Sequence, residues 1–238
     1  MLKGAAGAGL PILAVPAIAA FYDVRVAVVL LVIPNFFTNI WQIIKFKEHD
    51  LPNKVAPHFA LAGFIGAGIG TLLLAYLPLV ALKALIVSVV FSYIVIRIRQ
   101  PEFKLSMRMM QRWVFVAGSS AGILQGAIGL SSPITITFLH AARLPRLTFI
   151  YIASLFFASL SVMQVPLQSV LGLMNWELAL ISLLALIPIA IGMPVGNHIG
   201  KKLSPALFDR IILILLAFLA LKMLFDVSSM LHFTMANP

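Results

Sequence analysis

The stretch QGAIGLSSPIT, residues 125–135, interrupts a long apolar segment with two glycines, two serines and a proline. Lipid cannot hydrogen-bond an irregular backbone, so a break at membrane depth has to be buried in protein or line a watery cavity. Pro133 suits the first turn of a helix, because its missing N–H would have no partner there. The stretch therefore predicts a tight turn or a close backbone approach at Gly129 and a new helix that begins at Pro133, with Ser132 as its N-cap residue.

The composition around this break is that of an integral membrane protein. Of the 238 residues, 62% are hydrophobic and only 10% are charged, and the mean hydropathy is +1.08. A soluble domain needs about 25% charged residues to cover its surface. The net charge of +10 comes from bases in short segments between apolar runs, which is the positive-inside pattern of membrane proteins and not a nucleic-acid-binding surface.

The residue types exclude several kinds of chemistry. The chain has no cysteine, so disulfides, haem-thiolate ligation and iron–sulfur clusters are excluded. No predicted helix carries a metal-ligand pair such as H-x-x-x-H, and no catalytic triad is visible. We therefore expect no cofactor, no metal site and no enzymatic activity, since an intramembrane enzyme would need an acid, a base or a metal.

Eight apolar segments are predicted, most of them long enough to cross about 30 Å of hydrocarbon at 1.5 Å per residue. Between the fourth and the fifth lies the basic segment 97–112, which we interpret as a cytoplasmic linker between two membrane units, residues 1–96 and 113–238. The apolar segments are 5–22, 24–44, 57–77, 79–98, 113–142, 146–170, 175–199 and 204–226.

The two membrane units match each other in sequence. A shift of 122 residues superposes the glycines and the proline of the break, and a shift of 126 superposes two G-x-x-x-G motifs, at 66–70 and 192–196, which we interpret as close helix packing. This recurrence predicts an all-α polytopic membrane protein with two inverted repeats, each a broken or re-entrant helix plus three transmembrane helices. The matched pairs are Gly4 and Gly126, Gly7 and Gly129, Gly9 and Ser131, Pro11 and Pro133, Asn39 and Ser161, and Gln42 and Gln164.

The distribution of lysine and arginine predicts the topology. If segment 113–142 is a re-entrant hairpin that returns to its own side, 13 of the 17 bases lie in the cytoplasm. If it crossed the membrane fully, Arg143, Arg146, Lys201 and Lys202 would move outside. A hairpin plus three crossings is an odd number, so the second unit is predicted to be inverted and the turn 169–175, which has no base, to face out.

The first unit is shorter than the second at its start. Fourteen residues, 112–125, precede Gly126, whereas three precede Gly4. We expect the reading frame to extend upstream of Met1 by roughly a dozen apolar residues, enough for a half-span. The N-terminal stretch also has the charge, apolar run and small residues of a signal peptide, an interpretation that its internal counterpart disfavours.

Polar residues near the break are candidates for a substrate site. We expect the backbone N–H groups of Ile134 and Thr135, with the serine hydroxyls, to point into a cavity where a helix N-terminus favours an anion. Asn35, Asn39 and Gln42 share one helix face, and Ser154, Ser161 and Gln168 form a similar stripe with Gln164 nearby; these residues could line a pore or bond neighbouring helices. The predicted substrate-binding set is Gly7, Gly9, Pro11, Asn35, Asn39, Gln125, Gly126, Gly129, Ser131, Ser132, Pro133, Thr135 and Ser161.

The acidic residues indicate the charge of the substrate. All seven carboxylates fall at or near the ends of predicted spans, whereas cation transporters and proton relays place one inside the membrane. A neutral or anionic substrate therefore fits better. His140, close to the break, is interpreted as an interfacial residue, with proton uptake as the alternative. The carboxylates are Asp23, Glu48, Asp50, Glu102, Glu177, Asp209 and Asp226.

The paired motifs GAAGAGLPILAVP, residues 4–16, and GAIGLSSPITITF, residues 126–138, resemble those of the sulfite exporter TauE/SafE family of bacterial membrane proteins. Residues 191–224 also resemble that family's C-terminal pair of spans. The resemblance implies a multi-pass protein of the bacterial inner membrane that exports sulfite or a small organosulfonate such as sulfoacetate. Its partners would be a small anion and the lipid bilayer, not nucleic acid. An anion channel and a membrane scaffold without transport are the alternatives, and a homodimer is left open.

Overall fold

The computed structural model describes residues 10–51, 54–99, 104–192 and 205–236, which form helices and short connections with no strand among them. A 3₁₀ turn, Lys47–His49, follows the second helix, and residues 186–192 continue in helical form after the eighth. The helices in chain order are α1 (Leu10–Ala19), α2 (Val24–Phe46), α3 (Val55–Tyr76), α4 (Leu79–Arg99), α5 (Met107–Ile128), α6 (Ser132–Ala141), α7 (Arg146–Val170), α8 (Trp176–Leu184) and α9 (Pro205–Ala236).

Five of the described helices, α2, α3, α4, α7 and α9, are long and apolar enough to cross a membrane. The chain is therefore an all-helical, multi-pass membrane protein, as its composition predicts. The predicted apolar segments lie close to the observed helices, and segment 146–170 has the bounds of α7. The last helix is longer than predicted, because it continues ten residues beyond 226 to Ala236.

Helices extend into both ends of the segment 97–112 that the sequence analysis interprets as a linker. Helix α4 continues through Arg99, and α5 already begins at Met107. The Ser106 hydroxyl accepts a hydrogen bond from the Met109 N–H at 3.3 Å, which caps the start of α5 inside the segment that the charge pattern marks as a linker.

The predicted break is present, and it reverses the chain. Helix α5 ends at Ile128, and α6 runs back beside it, so that the Leu105 N–H donates to the Ala141 carbonyl at 2.8 Å. The two ends of this hairpin therefore meet. Apolar residues from the α2–α3 loop, from before α5 and from after α6 pack on one core cluster, among them Leu51, Leu105 and Leu144. The basic loops that flank these residues consequently lie at one end of the bundle.

Helices α3 and α5 run parallel, with backbone packed against backbone. A Cβ atom at Gly122 would lie 2.3 Å from the Gly63 carbonyl oxygen, and one at Gly66 would lie 2.3 Å from the Ser119 carbonyl oxygen. Only glycine permits such an approach, which small residues provide between helices in membranes. This contact confirms the packing interpretation of the G-x-x-x-G motif at 66–70 and fixes α5 on the scaffold that α3 provides.

Helices α2 and α7 cross the centre of the bundle side by side in opposite directions. Asn35 of α2 bonds Ser161 of α7, whereas Gln42, later in α2, bonds Ser154, earlier in α7. Pro34 cannot donate to the Leu30 carbonyl, and the Ser182 hydroxyl of α8 donates to that carbonyl instead, at 2.8 Å. A neighbouring helix thus satisfies the backbone group that the proline leaves free, as membrane burial requires.

Helix α9 packs against α4, also in the opposite direction. Lys83, near the start of α4, forms an ion pair of 3.5 Å with Asp226, late in α9. Lys222 pairs with the same carboxylate at 3.7 Å and donates to the Ala20 carbonyl after α1. These contacts hold α9 against the end of the bundle opposite the basic loops.

Candidate functional site

A small cavity lies where the helix break meets α1, α2 and α7. Its volume of about 10 Å³ accommodates about one water molecule, so this conformation of the site is closed. Asn35, one of its polar lining residues, is the central residue of α2. The lining residues are Val15, Val28, Leu31, Val32, Asn35, Gln125, Gly129 and Gln164.

Gly129 makes the reversal at the cavity possible. Its φ angle is +69°, a left-handed conformation that costs an L-residue about 1–2 kcal/mol. A Cβ atom on Gly129 would lie 2.8 Å from Cγ2 of Val15 in α1. The position therefore requires glycine for its backbone angle and for the close approach of α1, which confirms the predicted tight turn.

Gln125 and Ser131 hold the break together. The side-chain oxygen of Gln125 accepts a bond from the Ser131 N–H at 3.1 Å and one from the Ser131 hydroxyl at 2.9 Å. The predicted N-cap, Ser132, is wrong by one residue: Ser131 is the N-cap of α6 and Ser132 is its first helical residue. The reason is that Gln125 replaces the usual serine cap by bonding the chain before the helix begins.

The predicted free backbone donors are not free. The N–H groups of Ile134 and Thr135 both bond the Ser131 carbonyl, at 3.1 and 2.9 Å. Since α6 begins one residue earlier than predicted, these groups already belong to its first hydrogen-bonded turn. Side chains are therefore the candidates for hydrogen bonds to a ligand, and the helix start adds its partial positive charge.

The amide stripes of α2 and α7 bond neighbouring helices, and one of their residues also lines the cavity. Asn35 lines the cavity and donates to the Ser161 hydroxyl at 3.4 Å. Asn39 lies one turn further along and donates to the Asn35 carbonyl and side-chain oxygens at 2.6 and 2.9 Å. The Ser154 hydroxyl donates to the Gln42 amide oxygen at 2.8 Å. Asn39, Ser154 and Ser161 thus position the stripe, whereas Asn35 is part of the cavity wall.

Several polar atoms near the break are buried without a hydrogen-bond partner. They are the hydroxyl groups of Ser132 and Thr135 on α6, the amide nitrogen of Gln164 and both amide atoms of Gln168 on α7. Buried polar groups are nearly always paired, so a cluster of unpaired ones indicates a place where a ligand or water binds. Gln164, which is 1% exposed and lines the cavity, is the clearest of them.

Of the remaining predicted residues, the structure describes three and leaves two outside the described ranges. A Cβ atom at Gly126 would meet the Ala67 carbonyl oxygen at 2.5 Å, so Gly126 packs on α3. Pro133 lies in the first turn of α6, as predicted. Gly7 and Gly9 lie outside the described residues, and the Pro11 backbone lies in the first turn of α1. Gln164 was missing from the predicted set, although its match to Gln42 in the repeat was the signal that could have identified it.

None of the described residues that line the cavity carries a charged side chain. Arg25, one turn from the lining residue Val28, donates to the Leu74 and Leu77 carbonyls at the end of α3, at 3.0 and 2.8 Å, and pairs with Asp23 at 3.8 Å. Its charge is therefore matched by a carboxylate and by the negative end of α3. Among the described residues no group of three or more His, Cys, Asp or Glu residues could hold a metal ion.

Comparison with known proteins gives a match at the level of the family. The profile of the family described as Sulfite exporter TauE/SafE matches residues 1–223 of this chain. No curated protein and no solved structure matches the chain.

Proposed function

The chain belongs to the sulfite exporter TauE/SafE family, whose members are membrane transporters of sulfur anions such as sulfite, and we propose that it exports a small sulfur oxyanion, sulfite or an organosulfonate, across the bacterial inner membrane. The anion would bind between the break after α5 and the paired helices α2 and α7. Gln164 is the observation that carries this proposal, because a buried amide nitrogen on the cavity wall has no protein partner.

Two inverted repeats provide the framework for this proposal. The 122-residue shift takes both bounds of α1 onto those of α6 and the start of α2 onto the start of α7. The helices so related, α2 and α7, run in opposite directions. A shift of 126 takes the start of α4 onto the start of α9, and these two helices also run in opposite directions. Opposite directions for corresponding helices are typical of repeats related by an axis in the membrane plane, with the substrate bound between them near the midplane.

The proposed topology can be tested by single-cysteine labelling, since the chain has no cysteine of its own. We expect the turn after α6 to be cytoplasmic and the α7–α8 turn to face out, because the first is basic and the second has no base. In whole cells, an impermeant thiol reagent should label Ser169→Cys and should not label Arg143→Cys until the cells are lysed. The reverse pattern would overturn the proposed orientation.

The closed cavity supports a carrier over the two rival functions. An open anion channel requires a continuous watery path, whereas this cavity accommodates about one water molecule. A membrane scaffold needs no polar centre, yet unpaired amides and hydroxyls are buried beside the break. A carrier that alternates between closed and open conformations fits both observations.

Replacing Gln164 with methionine tests the site while keeping the side chain's length. Hydrogen bonds to charged groups contribute about 1.5–3 kcal/mol, so affinity for sulfite should fall about tenfold to a hundredfold. Protein stability should stay unchanged, because the Gln164 amide nitrogen has no partner to lose. The measurement is concentration-dependent sulfite uptake into proteoliposomes, accompanied by a melting curve.

Gln111→Met is the matched control, because Gln111 is exposed near the start of α5. It should transport like the unmodified protein. If both variants take up sulfite with unchanged affinity, the anion does not bind at this cavity. If neither the unmodified protein nor the variants transport any sulfur oxyanion, the proposed function is wrong.

A further inference from the structure

The groups that line the cavity set a limit on the charge of the substrate. Those that the described part of the chain contributes are all neutral: three amide side chains and backbone or side-chain atoms without charge. The free energy cost of moving an ion from water into such a site rises with the square of its charge, and neutral donors offset it only in part. A dianion therefore loses far more hydration than a monoanion and gains the same hydrogen bonds.

The ionisable residues of the surrounding described helices lie away from the cavity. Helix α1 has none, and those on α2, α5, α6 and α7 all lie within the first or last six residues of their helices. They are Arg25, Lys45, Arg108, Arg112, His140, Arg146 and Tyr151. His140 is eight residues from Ser132, about 12 Å along the helix axis at 1.5 Å per residue.

Among the cations on these helices, Arg25 is the closest in sequence to a residue that lines the cavity, but its guanidinium already has partners. Its guanidinium donates to two carbonyl oxygens at the end of α3 and pairs with Asp23. The charged cluster of Lys83, Lys222 and Asp226 involves α4 and α9, neither of which contributes a residue to the cavity. None of these cations lines the cavity, so none of them compensates a second negative charge on a substrate bound there.

We infer that this site selects monoanions and that sulfite is carried in its protonated form, hydrogensulfite, while the dianions sulfite and sulfate are rejected. The inference rests on the proposed function and deepens it. Export of hydrogensulfite moves a proton with each sulfur atom, so the protonation of the substrate itself would link transport to the pH difference across the membrane. The protein needs no titrating side chain for this linkage.

The test compares three anions in proteoliposomes from slightly acid to clearly alkaline pH. Methanesulfonate is a monoanion throughout, so its flux should stay constant and show that the protein itself is not titrating. Sulfite flux should fall about tenfold for each pH unit well above the pKa of hydrogensulfite, in proportion to the monoanion. Sulfate should neither be transported nor compete. Protein-free liposomes correct for passive leakage.

The outcomes separate the inference from the proposed function. Sulfite flux that is independent of pH, competition by sulfate, or parallel loss of methanesulfonate flux would each overturn monoanion selection while leaving sulfur oxyanion transport in place. Transport of none of the three anions contradicts the proposed function itself. Lys3→Gln belongs in the same experiment, because Lys3 is the only charged residue before Asp23 and lies outside the described residues. The same monoanion selectivity in that variant supports the inference. Transport of dianions by the unmodified protein that is lost in Lys3→Gln would overturn it and identify Lys3 as the compensating cation.

Discussion

Replacing Gly129 with valine is expected to abolish sulfite transport while the protein still inserts into the membrane. Two physical effects act at this residue. The φ angle of +69° costs an L-residue about 1–2 kcal/mol. A Cβ atom on residue 129 would lie 2.8 Å from Cγ2 of Val15, so a branched side chain would clash with Val15. The side chain would fill the cavity at the helix break, so no anion could bind there.

Gly172→Val is the matched control for this prediction. Gly172 has a φ angle of +70°, but a Cβ atom there would meet nothing within 4 Å. The control therefore carries the same backbone strain without the steric contact and should still transport sulfite. Shortening Val15 to alanine should partly restore transport in a Gly129→Ala background, because that pair of residues shares the contact. If Gly129→Val transports like Gly172→Val, the turn has no role in anion binding.

Replacing Gly122 with alanine is expected to destabilise the protein by forcing α5 away from α3. The added Cβ atom would lie 2.3 Å from the Gly63 carbonyl oxygen, and backbone cannot move aside as a side chain can. Overpacking of this kind costs about 3 kcal/mol, and the better helix propensity of alanine offsets about 1 kcal/mol of it. The net loss of about 2 kcal/mol corresponds to a melting temperature lower by about 4–8 °C.

Gly68→Ala serves as the control, because Gly68 lies on α3 but faces α7 instead of α5. Its Cβ atom would approach only the end of the flexible Met163 side chain, at 3.2 Å, which can rotate away. The same gain in helix propensity then acts alone, so Gly68→Ala should melt at an unchanged or higher temperature. Thermal unfolding of both variants in one detergent makes the comparison. Equal melting temperatures would show that α3 and α5 do not depend on the glycine contact.

The sequence by itself determined the elements and the position of the break. Long apolar runs have to form helices in lipid, because every backbone N–H and carbonyl needs an internal partner. The bounds of α7 and the turn at Gly129 were predicted for this reason, since a proline, a glycine and neighbouring serines act on the backbone locally. The sequence also predicted an internal repeat, and the bounds of α1 and α6 correspond under the shift that the glycines indicate.

Only the tertiary structure decided which face of each helix meets which partner. A helix that is apolar on all sides has no polar face, so its hydrophobic periodicity does not predict which side packs against a neighbouring helix. Gly126 and Gly129 looked alike in the sequence, yet the first packs on α3 and the second lines the cavity.

The hydrogen bonds of the break depend on contacts that no local pattern specifies. Gln125 bonds Ser131 across the turn, and the Ser131 carbonyl accepts from the two N–H groups that were expected to be free. Asn35 meets Ser161 from the other half of the chain. Close packing in membranes depends on the shapes of the side chains more than on their polarity. It brings the helix break and α7 together at the cavity and leaves the amide nitrogen of Gln164 without a partner.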